Sequence, residues 1–172
     1  SFRDAMVRML TYVRTAEPLD RILRTICNVI RIPDMKLLFI TTPGFMDSIE
    51  MLATDVVNTP EGVEWICRLL ASLVTDATAQ YHLSHLAGIR DMLVRFTEFS
   101  KSAEAVEWWC GLAHNLCNLN DVDEDDCVNF HVNEAADPQR LKANKKRSVD
   151  MFTDPQIRDS MVSLAEFATS GV

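Results

Sequence analysis

The sequence predicts an all-α fold assembled from repeated helical units, and three observations carry that expectation. Glycine (5) and proline (6) are scarce among 172 residues, which disfavours a turn-dense β-sandwich and any collagen-like or low-complexity chain. Apolar residues recur with a 3.6-residue period from the start of the chain. Short phrases also return at a fixed spacing: Val63-Glu64-Trp65-Ile66-Cys67 is answered 43 residues later by Val106-Glu107-Trp108-Trp109-Cys110.

The repetition holds its register. A shift of 87, close to twice 43, lays Phe2-Arg3-Asp4 on Ile89-Arg90-Asp91 and Val7-Arg8 on Val94-Arg95, then Ala16-Glu17 on Ala103-Glu104 and Asn28 on Asn115. Phe45 to Val56 supplies the intervening copy at an offset of 44, and Ile157-Arg158-Asp159 opens a further one. The chain reads as one domain, 1–172, of three units and part of a fourth: 1–31, 34–75, 76–118 and 138–172, with an acidic insert at 119–137. A first residue other than Met, and a helical pattern that runs to Val172, suit a fragment of a longer protein.

Each unit opens with an amphipathic helix. Phe2, Met6, Met9, Leu10 and Val13 fall on one helical face, as do Phe45, Ile49, Leu52 and Val56, and Ile89, Leu93 and Phe96. A second helix follows, announced three times by a hydroxyl and a glutamate: Thr15-Ala16-Glu17, Thr59-Pro60-Glu61 and Ser102-Ala103-Glu104. The hydroxyl suits an N-cap, the carboxylate suits the positive helix end, and Pro60 suits the first helical position. The apolar stripes expected to be buried are Ile22-Leu23-Ile26-Val29-Ile30, Ile66-Cys67-Leu70-Leu73-Val74 and Trp109-Cys110-Ala113-Leu116-Cys117. Shorter apolar pieces at 35–42 and 80–86 precede the second and third units. Leu37-Leu38-Phe39-Ile40 alone would pass for a strand, but the register assigns it a short helix.

A short helix, a small-residue break (Pro43-Gly44, Ala87-Gly88) and two longer antiparallel helices together resemble the armadillo repeat. Residues 82–117 carry the resemblance best, with a glycine turn, an Ile89-to-Val94 second helix and a third helix that ends near an Asn-Leu pair. The HEAT pattern is the close alternative, and either implies a right-handed α-solenoid. The likeness covers residues 1–120 and returns at 150–168.

Composition limits the function. Acidic residues (25) outnumber basic ones (17), for a net charge of −8, so nucleic-acid binding is the weaker expectation. No apolar run reaches the ~18 residues of a membrane span, and Arg3, Asp4 and Arg8 interrupt any signal-peptide core. Cys27, Cys67, Cys110, Cys117 and Cys127 form no CxxC pair and mostly sit in apolar helical patterns. Reduced thiols in a cytoplasmic compartment are expected, with the nucleus left open.

No catalytic constellation stands out, so the expectation is a non-enzyme without cofactor or metal. Asp121, Asp123, Asp125 and Asp126 start like a calcium loop, yet Asp126 stands where that loop needs glycine and Val132 where it needs glutamate. His82 and His85 lack a third ligand at matching spacing, and Cys127 with His131 lacks an orienting partner. Lys142, Lys145, Lys146 and Arg147 before Ser148 read as a charged helix face, although such a tetrapeptide also suits a kinase or a localisation signal.

Repeats permit a positional argument, because equivalent residues stack into rows. Outside the apolar stripes of the last helices lie three: Arg21, Trp65 and Trp108; Arg24, Arg68 and Gly111; Asn28, Ser72 and Asn115. The armadillo resemblance implies that this face is a concave groove in which asparagines hold an extended peptide backbone and tryptophans bracket its side chains. Ser72 departs from that pattern. So does the spacing, since Trp108 precedes Asn115 by seven residues where the importins have four. A receptor for basic nuclear signals is therefore not expected, and Arg21, Arg24 and Arg68 favour an acidic segment. Trp109 aligns with Ile22 and Ile66 and belongs to the core.

The function expected is a protein-interaction scaffold that takes a peptide or partner protein on this face. The alternatives are a structural segment of a longer solenoid, self-associating through an uncapped end, or an RNA-reading solenoid. Replacing residues 123–137 by a short flexible linker should leave the far-ultraviolet dichroism per residue equal or higher, since loop closure varies slowly with length. Cooperative loss of helix would place the insert against the folded units.

Overall fold

A computed structural model describes residues 2–76, 79–80, 83, 88–117, 146 and 150–170, and every regular element among them is an α-helix. The elements are α1 (Phe2–Tyr12), α2 (Ala16–Val29), α3 (Pro33–Ile40), α4 (Phe45–Asp55), α5 (Pro60–Leu73), α6 (Ile89–Phe99), α7 (Ala103–Cys117) and α8 (Pro155–Thr169). None of these is long and apolar enough to cross a membrane.

Local chemistry sets their ends. Thr59 Oγ1 accepts from Gly62 N at 3.0 Å and Ser102 Oγ from Ala105 N at 3.1 Å, closing the first turns of α5 and α7. Thr15 departs from the expected signature: it stands extended at the N-cap of α2, but its exposed hydroxyl caps no backbone N–H. Asp154 performs the same task for α8, accepting from Gln156 N at 2.9 Å ahead of Pro155. Gly44 enters α4 with φ 78°, a left-handed conformation that a side chain would strain. Residues 33–40 form the short helix that the register assigned to them.

The helices pack in two sets. The last helices α2, α5 and α7 lie side by side, α5 touching both of its neighbours. The first helices pair as α1 with α4 and α6 with α8, and α5 also touches α6. Trp109 is fully buried and donates its indole N–H to Leu93 O at 3.0 Å, tying α7 to α6. Arg95 donates to Ala53 O at 3.2 Å and stacks on Phe99, linking α6 back to α4.

Position in the row explains where the expected stripes fail. In α5 Ile66, Cys67, Leu70, Leu73 and Val74 are all buried, and so is Leu69, which the stripe had left out. At the two ends burial is one-sided: Ile22 and Val29 of α2 are half-buried, Cys110 of α7 is exposed and Cys117 half-buried. Phe2 and Met9, expected on the buried face of α1, are 58% and 45% exposed. Their counterparts Phe45 and Leu52 are fully buried. The difference is α3, whose Phe39 ring lies 5.2 Å from that of Phe45; among the described residues no short helix covers Phe2.

Cys67→Ser should cost ~1–3 kcal/mol, because a hydroxyl would enter a fully buried apolar site. Cys110→Ser should stay within about ±0.5 kcal/mol. Trp109→Ala should cost ~3–5 kcal/mol through the cavity it leaves. Urea melts of the three variants check the order.

Candidate functional site

The residues singled out from the three rows lie on the common outward face of α2, α5 and α7, and four of them interlock. The Arg24 guanidinium carbon stands 5.5 Å from the Trp65 ring centroid, and Arg68 stands 5.0 Å from Trp65 and 4.9 Å from Trp108. The result is an alternating stack, Arg24–Trp65–Arg68–Trp108, that crosses all three helices. Helical spacing makes it possible: Arg68 lies one turn beyond Trp65, so its side chain reaches its own Trp and that of the next helix. Trp65, Arg68 and Trp108 are half-buried and Arg24 is exposed, which leaves ring edges and guanidinium edges open to solvent. Gly111 completes the row, with open space where a Cβ would stand.

The remaining residues are placed differently. Arg21 is exposed and ion-pairs with Glu17 of its own helix at 2.9 Å, outside the stack. A shallow depression beside it is lined by Glu17, Pro18, Arg21 and Ile22. Asn28 is exposed. Ser72 Oγ donates to Arg68 O at 2.8 Å, so its hydroxyl proton is spent within α5. Asn115 donates Nδ2 to Ala71 O at 2.9 Å and accepts, through its backbone carbonyl, Gln80 Nε2 at 3.3 Å. Its amide thus helps to bind α7 to α5.

Reasoning from the sequence missed the acidic border of this face. The register that aligns Trp65 with Trp108 also aligns Glu17, Glu61 and Glu104, and next to them Asp20, Glu64 and Glu107. The glutamates of the first row had been noticed only as helix-start signals. Burial raises the pKa of Glu64, and Glu104, Glu61 and Asp20 raise it further while Arg68 opposes them. Asp20 is raised by burial and then by Glu61, and its Oδ1 is enclosed without a hydrogen-bond donor. These carboxylates repel one another beside the stack.

Other candidates contribute little to this face. Burial pushes the Cys27 thiol up to about 12 and that of Cys67 well above its ordinary range, so both stay protonated near neutral pH. Among the described residues no three His, Cys, Asp or Glu side chains gather as a metal set. His82, His85, the acidic insert with Cys127 and His131, and Lys142, Lys145, Arg147 and Ser148 lie outside the described residues; Lys146 is helical and exposed.

Comparison with family models, curated proteins and solved structures finds no match to this chain.

Raised carboxyl pKa values carry a sign for stability. A carboxyl whose pKa is higher folded than unfolded opposes folding above both values, and the opposition vanishes as pH falls below both. Asp20→Asn should therefore raise the melting midpoint at pH 7, and the gain should fade as pH falls through the raised folded value and be gone below the unfolded value of ~3.9. A midpoint unchanged or lowered at pH 7 would remove Asp20 from the strained border.

Proposed function

We propose that this chain is a non-enzymatic, armadillo-like α-solenoid module that holds a peptide segment or partner protein on the outward face of α2, α5 and α7. The observation that carries the reading is the half-exposed stack of Arg24, Trp65, Arg68 and Trp108. Tryptophan and arginine are the side chains that most often dominate binding energy at interfaces. Stacking holds each guanidinium plane against an indole and fixes it before any partner arrives, so less freedom is lost on binding.

Charge shapes the complement. Guanidinium edges of Arg24 and Arg68 suit carboxylates, as expected for an acidic segment. The bordering rows Glu17, Glu61, Glu104 and Asp20, Glu64, Glu107 suit cationic side chains on the other edge of that segment. Six carboxylates beside three arginines also oppose a phosphate backbone, which weighs against a nucleic-acid partner.

Trp108→Ala should weaken partner binding about thirtyfold, ~2 kcal/mol, with little change in melting temperature. Capture from lysate by the wild type and its loss in a Trp65→Ala/Trp108→Ala variant of unchanged dichroism is the expected outcome. Asn115 is left intact because it joins α7 to α5. Equal capture by both proteins would move binding off this face, and affinity that collapses with salt would reinstate nucleic acid.

A further inference from the structure

One edge of each last helix carries two carboxylates followed, four residues after the second, by a third position. On α2 the three are Glu17, Asp20 and Arg24, and on α5 they are Glu61, Glu64 and Arg68. On α7 they are Glu104, Glu107 and Gly111. At ~100° per residue all three fall within ~60° around the helix, so they share that edge. The tryptophan of α5 or α7 lies beside it, three residues before the third position.

Arginine at the third position has two effects where it is present. Arg68 lies over Trp65 of its own helix at 5.0 Å and over Trp108 of the next at 4.9 Å. Its charge also opposes the rise in the Glu64 pKa caused by burial and by Glu104, Glu61 and Asp20. With Arg24 at 5.5 Å, Trp65 has two guanidiniums against it. α7 keeps the indole and both carboxylates, Glu104 and Glu107, which are exposed, but lacks the cation. Among the described residues Arg68 alone stacks on Trp108, and nothing stands within 4 Å of where a Gly111 Cβ would be.

We infer that an arginine side chain of the partner takes this place, its guanidinium over Trp108 and its N–H groups toward Glu104 and Glu107. The inference rests on the binding face proposed above and names one side chain that the partner brings. Arginine fits better than lysine, because a planar guanidinium lies flat on an indole and still offers forked donors to carboxylates at its edge. The seat is the place of a side chain that Gly111 does not have, so it does not depend on what lies beside α7. A further helix in register would wall the slot on its second side, as Trp108 walls Arg68, and would leave it open. The arginines within reach, Arg24 and Arg68, are already committed to Trp65, so the cation comes from the partner.

The probe is the peptide acetyl-Gly-Arg-Gly-amide, read by the indole N–H signals of tryptophan-labelled whole chain. Trp65→Phe and Trp108→Phe assign those signals. The peptide should shift the Trp108 signal and leave that of the buried Trp109 unmoved, and its lysine counterpart should bind about fivefold more weakly. Glu104→Gln with Glu107→Gln should weaken the arginine peptide about threefold. Gly111→Arg supplies the guanidinium from α7 itself, into open space that lets the helix accept it. This variant should shift Trp108 in the same direction and abolish the effect of the peptide. A Trp108 signal that the peptide leaves unmoved, or peptide binding that survives Gly111→Arg, would overturn the inference. Partner capture that is full in Gly111→Arg yet lost in Trp65→Ala/Trp108→Ala would overturn the seat and keep the face. Equal capture by the wild type and both variants would remove the face itself.

Discussion

The burial of α5 on both flanks is the constraint from which the rest of the molecule follows. Ile66, Leu69 and Leu73 on one side of α5 and Val63, Cys67 and Val74 on another are all buried, and the helix touches both α2 and α7. A helix apolar on both sides has no stable place at a surface, so it needs a neighbour on each. Because α2 and α7 resemble α5, each brings a second apolar flank of its own. Those flanks end as Ile22 and Val29 on one side and as Cys110 and Cys117 on the other, half-buried or exposed.

Side-by-side helices also create the aromatic–cation stack. Neighbouring axes ~8–10 Å apart bring side chains of equal register within reach of one another. Arg68 can then bridge two indoles only because Trp65 and Trp108 occupy the same place in successive units. Exposed cation–π contacts are worth ~0.5–1 kcal/mol each, small beside the buried apolar flanks. The stack is a consequence of the fold and not its cause, which leaves its residues free to be set by binding.

Periodicity made most of this legible in the residues. Helix positions, the row alignment and the core place of Trp109 all follow from a 3.6-residue period and a unit of about 43. Burial at the ends did not follow, because a pattern shows which face is apolar and not whether a neighbour covers it. Phe2 and Phe45 share a register and differ by 58 percentage points in exposure, and the Phe39 ring of α3 lies against Phe45. The asparagine row is placed unevenly: Asn28 is exposed, whereas the Asn115 amide donates to the carbonyl of Ala71. The acidic rows are present in the same alignment; Glu17, Glu61 and Glu104 have a sufficient local explanation at a helix start, and Asp20, Glu64 and Glu107 show their setting only once the helices are packed.

That acidic border bears on what the face is for. Asp20 and Glu64 are held partly out of water among like charges, and Asp20 Oδ1 finds no donor. Each arrangement opposes folding at neutral pH, and an amide or an apolar side chain at either position would relieve it. Two carboxylates that serve only solubility have no reason to be half-buried, since exposed positions such as those of Glu17, Glu61, Glu104 and Glu107 would do. The stack beside it likewise leaves two large indoles half in water where smaller polar residues would suffice. Both features place unfavourable or underused groups along one face of three successive helices, and occupancy by a partner that brings cations to the border and flat surface to the indoles would satisfy both at once.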